Sequence, residues 1–128
     1  MLSNKRIAIA ILNYNGLNLL KKFLPSVVKH SDKKLSTIYI IDNGSDDESN
    51  IYVKNKFPEI KIIQNDKNYG YAGGYNKGLS KIDYDYYVLI NNDVEVTKGW
   101  LNPMFELLES DQNFATCQPK IKSYHCLL

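Results

Sequence analysis

Ile7-Ala8-Ile9-Ala10-Ile11-Leu12 is apolar at every position and is cut off sharply by Asn13-Tyr14-Asn15-Gly16. A strand with one wet face alternates apolar and polar residues, so an unbroken run of this length predicts a strand covered on both faces, as in a parallel sheet. Immediately after it, Leu17, Leu20, Phe23, Leu24, Val27 and Val28 recur at helical spacing, with Pro25 expected to kink that helix or to start a second one. The same unit then repeats. Thr37 to Ile41 reads as a strand and Asp42-Asn43-Gly44-Ser45 as a turn, and Ser45-x-x-Glu48 has the form of a capping box for a helix running to about Phe57. Ile60 to Ile63 predicts a third strand, Asn68 to Gly74 a glycine-rich loop, Tyr75 to Lys81 a helix, and Tyr86 to Ile90 a fourth strand ending at Asn91-Asn92-Asp93. Trp100, Leu101, Met104, Phe105, Leu107 and Leu108 mark a further helix, and Ala115-Thr116-Cys117 a short last strand.

Strictly alternating strands and helices imply right-handed crossovers and an α/β fold, an open, mostly parallel, doubly wound sheet with helices on both faces. The 128 residues form one unit, residues 1–128, with no repeat or composition break. In such sheets a ligand lies beyond the carboxyl ends of the strands, where Asn13-Tyr14-Asn15, Asp42-Asn43 and Asn91-Asn92-Asp93 converge. Any one of these clusters is ordinary turn chemistry. Three on successive strand ends, with a polar glycine-rich loop beside them, exceed what turns require.

Within this set Asp93 is the sharpest candidate, because a hard divalent cation bound to diphosphate oxygens needs only one or two protein carboxylates and keeps several waters. Asp42 and Asn43 have the donors and acceptors to read the edge of a base, while Asp42 serves equally well as a turn cap. Gly70, Gly73 and Gly74 match neither the dinucleotide nor the P-loop spacing. Sixteen basic against fourteen acidic residues, with Arg6 the sole arginine, give no basic patch for nucleic acid. Two cysteines, Cys117 and Cys126, make neither a disulfide scaffold nor a zinc set, and no signal-peptide or spanning pattern is present, so a cytoplasmic protein is expected. His30 and His125 have no partner in the sequence, and the ten tyrosines go with an A/T-rich codon usage that also explains the abundant lysine, asparagine and isoleucine.

Taken together, four segments resemble glycosyltransferase family 2, a group of inverting enzymes on the GT-A, nucleotide-diphospho-sugar transferase fold. IAIAILNYN, residues 7–15, is similar to the family's first strand. IYIIDNGSDD, residues 38–47, is similar to the strand ending in Asp-Asp-Gly-Ser, with Asn43 in place of the second acid. NYGYAGGYNKGL, residues 68–79, resembles the Asn-x-Gly-x-x-x-x-x-Asn-x-Gly helix start, and YYVLINND, residues 86–93, the Asp-x-Asp strand, with Asn91 replacing the first Asp. These variants resemble the rhamnosyl- and galactofuranosyltransferase branch acting on surface polysaccharides.

The resemblance implies that Leu12, Asn13, Tyr14, Asp42, Asn43, Asn68, Gly70, Gly74 and Asn76 hold the uracil or thymine nucleotide of a UDP- or dTDP-sugar. It places Asn91 and Asn92 on the ribose side and gives Asp93 the cation, Mg2+ or Mn2+. It implies transfer, with inversion, to a saccharide or lipid-linked acceptor, and a full-length protein at the inner face of the membrane. Family members continue into an acceptor-binding half that carries the general base. The chain is therefore expected to be the donor half, inactive alone, with its base beyond Leu128 and with homo-oligomerisation through the apolar surface around Ile121 to Leu128. The alternatives are a non-catalytic nucleotide-sugar-binding module and a nucleotidyltransferase, the latter weakened by the lack of an arginine-bearing glycine loop after the first strand.

Overall fold

A computed structural model describes residues 6–125. The elements run β1 (Ile7–Asn13), α1 (Leu17–His30), β2 (Ser36–Asp42), α2 (Ser49–Lys56), β3 (Lys61–Gln64), α3 (Gly70–Leu79), β4 (Tyr86–Asn91) and α4 (Asn102–Ser110). The four strands form one sheet in the order β3-β2-β1-β4, and all three pairs are parallel. The expected α/β class and parallel sheet are therefore present, with β1 at the centre.

Alternation along β1 divides the core. Ile7, Ile9 and Ile11 face one side, where Ile40 and Ile90 join Leu20, Leu24 and Val27 of α1, Val53 of α2 and Phe105 of α4. Ala8 and Ala10 face the other, with Tyr39, Ile41 and Tyr75. Small residues on this second face let α3 approach closely. A Cβ at Gly78 would lie 2.5 Å from two side-chain atoms of Ile41, so only glycine fits there. Over β4 the same face is open, with Tyr87 42% and Leu89 52% exposed.

Four expectations about elements need correction. Pro25 lies inside a continuous α1. It sits on the solvent-exposed side, while Leu24 and Val27 on the other side hold the helix to the core. The Ser45 capping box does not form. Ser45 Oγ instead accepts the Asn15 N–H at 2.9 Å, and α2 begins at Ser49, whose N–H is taken by Asp47 at 3.0 Å. The Asn68 to Gly74 segment is not all loop, because α3 starts at Gly70. Residues 115–117 are irregular and exposed or half-exposed, pairing with no strand; Cys117 Sγ lies 3.6 Å from the Met104 carbonyl. Of the apolar C-terminal surface, Ile121 is 80% exposed and Tyr124 packs edge-on against Phe23. Residues 126–128 lie outside the described part.

Candidate functional site

Parallel register brings the strand ends level. Asn13 is opposite Asp42, and Leu12 is opposite Asn91. The period-2 alternation then separates their side chains, so that Asn13 and Asp42 continue the Ile9-Ile11 and Ile38-Ile40 rows toward α1 and α2. Asn13 is buried and spends its amide inside the protein, donating to Ser49 Oγ at 3.1 Å and accepting from Asn92 Nδ2 at 3.0 Å. Gly16 makes room for that pair, since a Cβ there would sit 2.2 Å from Asn13 Oδ1 and 2.4 Å from Asn92 Nδ2.

Asp42 is fully buried; its Oδ2 accepts the Ser45 N–H at 3.2 Å, and its Oδ1 has no partner among the described residues. Asp47 stitches the neighbouring turns by accepting the backbone N–H groups of Leu17 and Ser49, each at 3.0 Å. Burial pushes its carboxyl up, but the Ser49 hydroxyl and these two N–H groups outweigh that and hold it below the ordinary value. Asn15, in the left-handed region at φ 48°, closes the stitch by accepting the Asp46 N–H at 2.9 Å.

Asn43 has all four of its hydrogen-bonding positions filled. Its carbonyl accepts from Asn65 Nδ2 at 3.1 Å and the Tyr69 N–H at 3.2 Å, and its amide donates to Asn68 Oδ1 at 2.9 Å and the Gly70 carbonyl at 3.0 Å. Asn65 Nδ2 reaches on to the Gly74 carbonyl at 3.3 Å. Gly74 lets α3 close over this knot, because a Cβ there would lie 2.8 Å from both Asn43 Nδ2 and Leu12 Cδ1. Of the residues expected to hold the nucleotide, Asn13, Asp42 and Asn43 are thus buried among their own hydrogen-bond partners, and Gly74 is buried on the inner side of α3.

Other members of the expected set face outward. Tyr14 is 50% exposed, Leu12 is partly exposed, and Asn68, Gly70, Asn76, Asn91 and Asp93 are exposed. Asp93 stands in the turn after β4 with no hydrogen bond or ion pair among the described residues. No group of three or more His, Cys, Asp or Glu that could hold a metal occurs among those residues. A cation here would have one carboxylate and would depend on water and ligand oxygens for the rest, a donor set that suits magnesium or manganese.

Residue-type reasoning missed Asp47, Ser49, Asn65 and two tyrosines of α3. Tyr75 is buried, donates to the Ile90 carbonyl at 2.9 Å and lies 3.4 Å from both the Ala10 carbonyl and the Leu12 N–H. Burial pushes its hydroxyl up to about 12. One turn earlier, the Tyr71 hydroxyl donates to Asn91 Oδ1 at 3.1 Å. Their i, i+4 spacing within the glycine-rich segment was the available signal, and tyrosine abundance masked it.

Comparison with known proteins bears on this arrangement. The family model described as glycosyl transferase family 2 matches residues 8–125. An uncharacterized glycosyltransferase, YwdF, of Bacillus subtilis strain 168 is 29% identical over 107 residues, covering 82% of this chain and 39% of the relative. A mouse protein described as an inactive polypeptide N-acetylgalactosaminyltransferase-like protein 5 is 27% identical over 117 residues, 86% of this chain and 27% of the relative. Among solved structures, the mannosyltransferase PcManGT of Pyrobaculum calidifontis, in complex with GDP-Man and Mn2+, superposes with TM-score 0.74 at 16% identity over 84% of this chain and 33% of its own. S. aureus TarS residues 1–349 with UDP-GlcNAc gives 0.72 at 18% identity over 82% and 31%. The chain thus spans about a third of the length of the proteins it matches, and the structural likeness establishes the GT-A fold. With the family model matching residues 8–125, the chain belongs to glycosyltransferase family 2.

Proposed function

We propose that this chain is the donor-binding part of an inverting glycosyltransferase that uses a UDP- or dTDP-sugar and Mg2+ or Mn2+. Its acceptor is a saccharide or lipid-linked glycan of the cell surface, in the manner of the rhamnosyl- and galactofuranosyltransferase branch. One observation carries the reading. Asn91 and Asn92 at the end of β4 are each held by a hydrogen bond, to Tyr71 and Asn13, while the acid that follows them, Asp93, is exposed and unpaired among the described residues in the turn after β4. The structural relatives solved with UDP-GlcNAc or with GDP-Man and Mn2+ support a nucleotide-sugar donor and a divalent ion.

In this reading Tyr14 and Leu12 line the base side, and Asn68 and Asn76 line the α3 side. Asn13, Asp42 and Asn43 keep the walls in place without touching the ligand, and Asn91 and Asn92 carry the ribose side. Asp93 would hold the cation, which when bound supplies positive charge toward the departing nucleoside diphosphate. Inversion needs a base that removes the acceptor hydroxyl's proton on the face opposite the leaving group. Of the acids after Asp93, Glu109 is taken up by the Tyr86 hydroxyl at the far end of β4, Asp111 accepts the backbone and side-chain N–H groups of Asn113, each at 2.9 Å, and Glu95 and Glu106 are exposed. We therefore place the base outside residues 6–125.

No helix among the described residues is long and apolar enough to cross a membrane, and we place the protein on the cytoplasmic side, at the inner face of the membrane. We also expect copies of the chain to associate, since Leu89 and Ile121 leave apolar surface uncovered. Titration calorimetry with UDP and dTDP, with and without Mn2+, tests the site. The chain should bind in a metal-dependent way, and Asp93→Ala should lose the metal dependence while keeping its circular-dichroism melt. Absence of heat from a folded chain would overturn the assignment. A non-catalytic binding module is the second reading, favoured by the lack of an oriented base among the described residues and by a mouse relative described as inactive. It predicts the same binding with no turnover in the full-length protein.

A further inference from the structure

Tyr71 is 62% exposed on the first turn of α3, yet its hydroxyl does not simply face water: it donates to Asn91 Oδ1 at 3.1 Å. The ring is braced edge-on against Tyr75, with centroids 5.2 Å apart and planes at 76°. Tyr75 is itself anchored through its hydroxyl to the Ile90 carbonyl at 2.9 Å. Two tyrosines one turn apart therefore tie α3 to consecutive residues of β4, one to the backbone of Ile90 and one to the side chain of Asn91. From the opposite face, Asn13 holds Asn92 at 3.0 Å. The end of β4 is gripped on both sides, and the next residue is Asp93.

We infer that Tyr71 is a positioning residue for donor binding, its hydroxyl fixing the Asn91 side chain and with it the direction in which Asp93 leaves the strand. The inference rests on the donor-site reading above, in which Asn91 and Asp93 serve the ribose and the cation. An exposed neutral hydrogen bond contributes little to global stability, because water replaces it when it is lost. Holding Asn91 in one rotamer before the ligand arrives lowers the ordering cost of binding, which is where the effect should be read.

The test is calorimetric titration of UDP in the presence of Mn2+ on the wild-type chain, Tyr71→Phe, Asn91→Ala and the double variant. Tyr71→Phe keeps the ring and its contact with Tyr75 and should melt with the wild type. It should weaken metal-dependent binding about fivefold, the scale of one neutral hydrogen bond. In the Asn91→Ala background the same change should have no further effect, which a merely structural tyrosine would not show. If the wild type binds and Tyr71→Phe binds equally well, or if the two changes add independently, the positioning role is overturned and the donor-site reading stands. If the folded wild-type chain binds neither UDP nor dTDP with Mn2+, both fall together.

Discussion

Asn43 stands where the family's strand has a second acid, and its four hydrogen bonds explain the exchange. Two of them are donated, to Asn68 Oδ1 and to the Gly70 carbonyl, and a carboxylate has no hydrogen to give either. Asn43→Asp would set acceptor against acceptor at a position only 2% exposed. It should cost about 1–3 kcal/mol, the range for leaving a buried polar group unsatisfied. Urea unfolding should show this as a lower midpoint with an unchanged slope. At this scale the residue types were legible and their orientations were not. Asn13, Asp42 and Asn43 announce themselves as polar strand ends, but whether an amide faces the ligand or an inner wall depends on which helix covers which side of the sheet. A sequence read one strand at a time leaves that open. Gly16 shows the same gap: it reads as turn punctuation, and the reason for it, the Asn13–Asn92 contact, spans 79 residues.

Helix α3 is the element whose sequence and structure disagree most. Glycine in a helix interior costs about 1 kcal/mol relative to alanine, which is why Asn68 to Gly74 reads as loop. Tertiary contact decides otherwise, because a side chain at Gly78 would collide with Ile41, which is fully buried and has no room to yield. Gly78→Ala therefore sets a propensity gain of about 1 kcal/mol against an overpacking cost of about 1–3 kcal/mol, and we expect net destabilisation. Thermal melts would check the sign; a stabilised variant would mean that α3 can ride away from the sheet. The helix also makes a prediction about alkaline pH. Burial raises Tyr75 from 10.0 to about 12. A group whose pKa is higher in the folded state contributes stability below its unfolded pKa and loses it as pH rises through the folded one. Chemical stability should thus hold to about pH 10 and fall between pH 10 and 12, and Tyr75→Phe should flatten part of that fall.

For the whole molecule, the sheet explains both what was legible and what the chain can do. Alternating apolar runs and punctuation yield the parallel sheet directly, since β1 is apolar from Ile7 to Leu12 and has strands on both edges and side chains packed over both faces. The matched stretch is only 39% of the Bacillus relative and 33% of the mannosyltransferase chain. On the donor-site reading, Asp93 would hold a cation that supplies positive charge toward a departing diphosphate, and water could attack. A positioned general base contributes about 10²–10⁴-fold, and an oriented acceptor contributes further through proximity. On that reading both are supplied from outside residues 6–125. The isolated chain should therefore hydrolyse UDP- or dTDP-sugars slowly at most, in a manner abolished by Asp93→Ala, and should not transfer sugar to saccharide acceptors at a useful rate. Product analysis by mass spectrometry with and without acceptor separates the two reactions. Efficient transfer would show that the base lies within these residues, with Glu95, two positions beyond Asp93, the first to substitute.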